Sequence, residues 1–321
     1  LDKVAGKKTG KVPIKQIHVS ILLLLVLIVG CAKSVKIEER YQPHKNLLEI
    51  LSDFRRHLDD NTYRFLVAKD ITGKDIYKAT LIRLENYEKA YPGYMEDIVT
   101  FSKAKAFEKL HDYEKAISNY QKLIGTKSKL ENQANKNINI CSDFLRVIKK
   151  DRKRRSELDN SDNGNLQEEL KAFDSVLQRW NILNLKYKGT PYEFLAKEEE
   201  EKLDMAKIDF IVKNRDKLPD GIALSVIGYN QLIEKHRESK YIYSHILKFA
   251  NLYNSFSREY VARNDPGSLS FNIEEFNQLA NRALGLYEIV AGKDGISEKI
   301  EANGMIKSLH AYVEKIRRAN K

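Results

Sequence analysis

Two runs of charge are the densest groupings able to do chemistry. Four carboxylates stand in succession at Glu198-Glu199-Glu200-Glu201, and six bases crowd Lys149 to Arg155. Consecutive glutamates can hold a cation, but Lys197 and Lys202 flank this run within a helical segment, so a solvated helix face is expected. The basic run (Lys149, Lys150, Arg152, Lys153, Arg154 and Arg155) reads as a solvated helix end, or as a contact for anionic headgroups or an acidic partner. Asp159 to Leu166 (DNSDNGNL) imitates a calcium loop, with oxygen donors at its first, third and fifth positions and glycine at the sixth. Leu170 stands where a bidentate glutamate is needed, which leaves a polar turn. No H-E-x-x-H, G-x-S-x-G, Rossmann glycine fingerprint or C-x-x-C occurs, and His236 and His245 are not spaced as a metal pair on one helix. Gly6 to Lys11 departs from a P-loop in its glycine spacing and in Val12. No catalytic, metal-binding or cofactor-binding residue is therefore assigned, and binding is expected rather than catalysis.

The two cysteines have different surroundings. Cys141 falls in the series Ala134, Ile138, Cys141, Leu145, Ile148, the stripe of an amphipathic helix, and reads as a buried structural thiol. Cys31 follows five lysines within the first 16 residues, an apolar run of 11 residues from Val19 to Val29, and Gly30. That run is short for a membrane-spanning helix, which needs about 20 apolar residues, and has the length of a signal-peptide core. Ile28-Val29-Gly30-Cys31 resembles the lipobox of bacterial lipoproteins. The resemblance implies a cleavable signal peptide over 1–30, a lipid-carrying Cys31 and a tether over 31–44. Two or three acyl chains, at about 0.8 kcal/mol per buried methylene, hold a protein on a membrane without a spanning helix.

The elements that position these groups are helical. The chain has 321 residues and 42% hydrophobic content, enough for a core, and two cysteines exclude a disulfide scaffold. Its net charge of +11 falls to +7 once residues 1–30 are set aside. Apolar residues recur at helical period from residue 45 onward, as in Leu47, Leu51, Phe54, Leu58 and in Phe276, Ala280, Ala283, Tyr287, Val290. Breakers such as Pro92-Gly93, Gly125, Gly189 to Pro191 and Asp265-Pro266-Gly267 separate about eleven helices in an all-α chain. The apolar pattern fails between Lys149 and Asn165, so a linker over 151–165 is expected to divide an N-terminal array (45–150) from a C-terminal one (166–321).

Residues 101–124 (FSKAKAFEKLHDYEKAISNYQKLI) resemble a tetratricopeptide repeat (TPR). Ala104 and Phe107 match its first helix, His111 and Asp112 its turn, and Tyr113, Ala116 and Tyr120 its second helix. His111 departs from the usual turn residue, and Ser128 replaces the closing proline. YEKAYPGY (87–94) and KYKGTPYEFLA (186–196) are similar to the helix-pair junctions of envelope TPR lipoproteins, and the Lys-, Asn-, Ile- and Tyr-rich composition resembles those of spirochaetes. A two-helix unit cannot cover its own apolar face, so the resemblance implies an α-solenoid of stacked antiparallel pairs. It further implies a lipid-anchored protein of the bacterial envelope, facing the periplasm or the surface. Its expected partners are envelope proteins or peptides, with no nucleic acid. The alternative is a surface lipoprotein that contacts host or environmental ligands.

Overall fold

The computed structural model describes residues 42–58, 75–159 and 165–320, with the side chains of 154–159 left aside. The expected signal peptide, Cys31, most of the tether, and the side chains of Arg154 and Arg155 lie outside the described residues. Residues Leu47–Lys321 form one compact unit, and Leu1–Asn46 another, of which only the last few residues are described.

Among the described residues there are eleven helices and no strand. They are α1 (Pro43–Leu58), α2 (Asp75–Ala90), α3 (Glu96–Lys109), α4 (Tyr113–Gln121), α5 (Glu131–Asp159), α6 (Leu166–Tyr187), α7 (Glu193–Lys213), α8 (Gly221–Lys235), α9 (Ile242–Arg263), α10 (Ile273–Ala291) and α11 (Glu298–Ala319). Side-chain caps start several of them. Asp112, Asn165 and Asn272 accept from the backbone N–H groups of Lys115, Gln167 and Glu274 respectively, each satisfying a donor that a helix start leaves open. Two junctions repeat one device. Gly125 and Gly189 take left-handed backbone, and their N–H groups donate to Glu131 and Glu193, the first residues of the next helices.

Packing within Leu47–Lys321 runs mainly between chain neighbours, each helix lying against the one before and the one after. The core is accordingly a succession of clusters. Leu47, Ile50, Leu84 and Val99 join α1 to α3, and Ala104, Tyr113, Phe144, Trp180 and Leu195 represent a cluster running from α3 to α7. Ile208, Tyr229 and Phe249 continue it from α7 to α9, and Phe276, Tyr287 and Leu309 close it from α9 to α11.

The linker expected over 151–165 is mostly helix. α5 continues to Asp159, because lysine, arginine, glutamate and leucine propagate a helix well even where no apolar stripe marks it. The core also runs straight past this point. The ring of Phe144 on α5 lies 5.8 Å from that of Trp180 and 5.3 Å from that of Tyr187, both on α6.

Candidate functional site

α7 is the element on which polar contacts converge. Helical geometry turns each residue by about 100°, so four consecutive glutamates point almost all the way round the axis. They can all be covered only if the helix is enclosed, and this helix is. The side chains of Glu198 to Glu201 are between 18% and 6% exposed, which overturns the expected solvated face. Each carboxylate meets a polar partner from a neighbouring element. Glu198 accepts from His111 Nε2 at 2.6 Å and pairs with Lys240, and Glu199 pairs with His111 Nδ1 and, at 2.8 Å, with Lys202. Glu200 accepts from Lys235 at 2.8 Å and from Asn184. Glu201 bonds His245 Nε2 at 2.7 Å and accepts from Ser239 at 2.8 Å. One turn on, Asp204 accepts from Lys235 at 2.7 Å and lies 2.9 Å from His236 Nε2.

These pairings decide the charge states. Burial pushes Glu199 up, but the hydrogen bond and charge of His111, with Lys202, outweigh it and bring the group to about 2. Glu198 is held well below the usual carboxylate range in the same way, against burial, by His111 and Lys240. Asp204 is lowered against its burial by His236 and Lys235, and Lys235 is raised against its own burial by Asp204 and Glu200. Both ring nitrogens of His111 face carboxylate oxygens, so both must carry hydrogens for the two bonds to form together.

His111 sits in an uncommon backbone state. It takes φ 61° directly after α3, with its N–H bonded to Glu108 O and the N–H of Asp112 to Phe107 O, the paired bonds of a Schellman helix end. Glycine ordinarily fills this left-handed position, and a side chain there is strained. From this position in the α3–α4 turn the imidazole reaches α7.

Beside it lies a closed ring of hydrogen bonds. Lys105 Nζ donates to Glu108 at 2.7 Å and to Tyr192 OH at 2.8 Å. Tyr192 OH donates to Asn137 at 2.7 Å, Asn137 to Tyr120 OH at 2.9 Å, and Tyr120 OH to Glu108 at 2.8 Å. Cys141 is 1% exposed, with its thiol 3.5 Å from the same carboxylate, and burial followed by the charge of Glu108 pushes the thiol far up. Ala104, Tyr113 and Ala116 are buried in the same apolar cluster as Tyr120, and Phe107 packs against that cluster half-buried.

A groove of about 890 Å³ runs beside the charge network between α6, α7 and α8. Leu170, Ile208, Ile211, Leu224, Ile227 and Leu232 are its apolar lining, and Lys207 and Asp174, 2.5 Å apart, link α7 to α6 across it. Gly228 draws α8 close to α7: a Cβ there would stand 3.1 Å from Ile208 Cγ1. Ile222 and Ile227 on α8 are about half exposed. Lys235 and Asp204 belong to both the groove and the network, so one set of charges positions both.

The structure separates the members of the basic run. Lys149, Lys150 and Lys153 line a shallow hollow on α5, whereas Arg152 lines a cleft with Trp180, Glu199 and Lys202. Among the described residues no group of three or more His, Cys, Asp and Glu is arranged to hold a metal ion, and no helix is long and apolar enough to cross a membrane. Sequence reasoning missed His111, His245 and Lys240 as partners of α7. His236 and His245, nine residues apart and set aside as a metal pair, reach Asp204 and Glu201, which are three residues apart on α7. The available signal was four glutamates in a helix whose apolar residues, Leu195, Leu203, Met205 and Ile208, define no single face. No protein-family model matches the chain, and no curated protein matches it in sequence.

Proposed function

We propose that this protein is a binding scaffold of the bacterial envelope: a TPR-like α-solenoid, tethered by lipid at Cys31, that holds a peptide or helix of an envelope protein in the groove between α6, α7 and α8. The observation that carries this reading is the groove itself. Its volume and its mainly apolar lining with charged groups at its edges suit a short extended or helical segment. The serial packing of helix on neighbouring helix supports the solenoid reading, since stacked pairs leave long surfaces of this kind. The charge network supports binding over catalysis, because each carboxylate of the acidic run is occupied by a partner from the fold.

Photo-crosslinking from position 227 in the full chain, expressed in a diderm bacterium, tests this. One or a few envelope proteins should be captured, and Leu224→Glu should abolish capture while the helical circular dichroism persists. Capture that is unchanged by Leu224→Glu, or no capture from position 227, would overturn the groove reading. Cys31→Ser should move the protein out of the detergent phase, and an unchanged partition would remove the lipid anchor from the proposal.

A further inference from the structure

Taking the groove between α6, α7 and α8 as the binding site, we infer that its occupant is an amphipathic helix, apolar along its centre, with an acid on the edge toward α6 and a base on the edge toward α8. Each wall is a helix face. α6 presents Gln167, Leu170, Lys171 and Asp174 to the groove, and α7 presents Asp204, Lys207, Ile208 and Ile211. In both sets the later members stand three, four and seven residues after the first, the spacing of surface neighbours on an α-helix. α8 repeats it with Leu224, Ile227, Gly228 and Gln231. α6 and α8 each pack on α7, so the three stripes border one slot like the inner faces of a helix bundle with one place open. The α8 stripe continues to Lys235, which gives the slot a length of about 16 Å, or three helical turns.

The lining favours a helix over an extended segment. An extended chain brings N–H and C=O groups that need partners once water is excluded. Most of the polar lining is already engaged: Asp174 with Lys207, Lys235 with Glu200 and Asp204, and Asn230 with the carbonyl of Val226. Leu170, Ile208, Ile211 and Leu224 offer no hydrogen bond at all. A helix satisfies its own backbone and needs from such a lining only a match for its apolar side chains.

Two charges set the edges. Lys171 and Glu234 line the groove, are exposed, and have no ion-pair or hydrogen-bond partner among the described residues. They belong to opposite walls, α6 and α8, and to different levels of the slot. Lys171 comes one turn before Asp174, the partner of Lys207, whereas Glu234 adjoins Lys235, the partner of Asp204. A helix with an acid toward Lys171 and a base toward Glu234 matches both, as the flanking charges of a coiled coil do. Like charges on its two edges match one wall and oppose the other, which discriminates against such helices.

The test uses the full chain carrying Cys31→Ser and fluorescent synthetic probes of about 15 residues, long enough for three turns. All carry a leucine stripe at helical spacing. The mixed probe has glutamates on one edge of the stripe and lysines on the other, the basic probe has lysines on both, and a third is the mixed probe with a central proline. Fluorescence anisotropy should show binding of the mixed probe, with a gain in helical circular dichroism, and the proline probe should bind roughly 100-fold more weakly. Leu224→Glu should abolish binding. An exposed charge pair contributes up to about fivefold, so Lys171→Glu should weaken the mixed probe by about that factor and make the basic probe the preferred one. Thermal melts check that both variants fold. Equal binding of the mixed and proline probes, both lost in Leu224→Glu, would leave the groove as a binding site and overturn the helix. A probe preference unmoved by Lys171→Glu would overturn the charge pattern. The absence of any binding sensitive to Leu224→Glu would overturn the inference as a whole, while photo-crosslinking from position 227 reports separately on the groove.

Discussion

α7 and the trio α9, α10 and α11 are both well buried, by opposite means. In the trio, Phe276, Ala280, Ala283, Tyr287 and Val290 on α10 face Ala302, Leu309, Val313 and Ile316 on α11, one apolar side against another, with the far sides left to solvent. α7 has no such division: Leu195, Glu200, Glu201, Leu203 and Met205 are all buried, and its carboxylates are met by the α3–α4 turn, α6, α8, and the α8–α9 turn with the start of α9. Apolar packing tolerates neighbours of many shapes, whereas charge pairing demands a particular partner at a particular distance. The trio is thus joined by area and α7 by address.

The largest effect is expected from the apolar side. Phe276→Ala should cost about 3–5 kcal/mol in denaturant unfolding, since a fully buried ring leaves a cavity. Glu201→Leu should cost about 3 kcal/mol by stranding His245, and adding His245→Leu should restore most of it, because replacing both members of a buried pair is often neutral. Additive losses in that double-mutant cycle would show that α7 is not joined by specific pairs, and the contrast would fall.

Acid offers the next separation. Glu199 has its folded value lowered to about 2 from an ordinary 4.5, so its stabilisation is complete above about pH 4.5 and is lost as pH falls through about 2. That loss is about 3 kcal/mol for this group, and Glu198→Gln/Glu199→Gln should flatten the acid limb of stability against pH, while Phe276→Ala should shift the whole curve without flattening it. The smallest effect concerns the turn. His111→Gly gives up two bonds to carboxylates, at the low end about 1.5 kcal/mol each because Glu198 and Glu199 keep Lys240 and Lys202, but relieves about 1 kcal/mol of left-handed strain, for a net loss of about 2 kcal/mol. In the Glu198→Gln/Glu199→Gln background the same change should be neutral or stabilising, and an undiminished loss there would mean that His111 serves another contact.

The trio was readable in the sequence because its stripes repeat at three and four residues and end at Asp265-Pro266-Gly267 and Gly292 to Gly295. The buried Cys141 and the stripe around it were readable for the same reason. α7 was not, since a glutamate run carries the same letters whether water or histidine surrounds it. Its partners come from positions 87 and 88 residues away in His111 and 44 away in His245, and no local period reports contacts at that range. The end of α5 misled for the converse reason: apolar spacing marks a helix only where it has an apolar stripe, and Lys149 to Glu157 has none although the helix continues to Asp159.

The ring from Lys105 to Tyr192 has an optical consequence. Burial, then the nearby charge of Glu108, places ionisation of Tyr120 and Tyr192 far above the ordinary phenol range, and Tyr113 is raised by burial and its acidic neighbours. Surface phenols ionise near pH 10. In alkali, the ultraviolet absorbance of tyrosinate should therefore rise in two stages, the second only when the helices from α3 to α7 come apart. The protein carries its own colorimetric record of when that part of it opens, with no label attached.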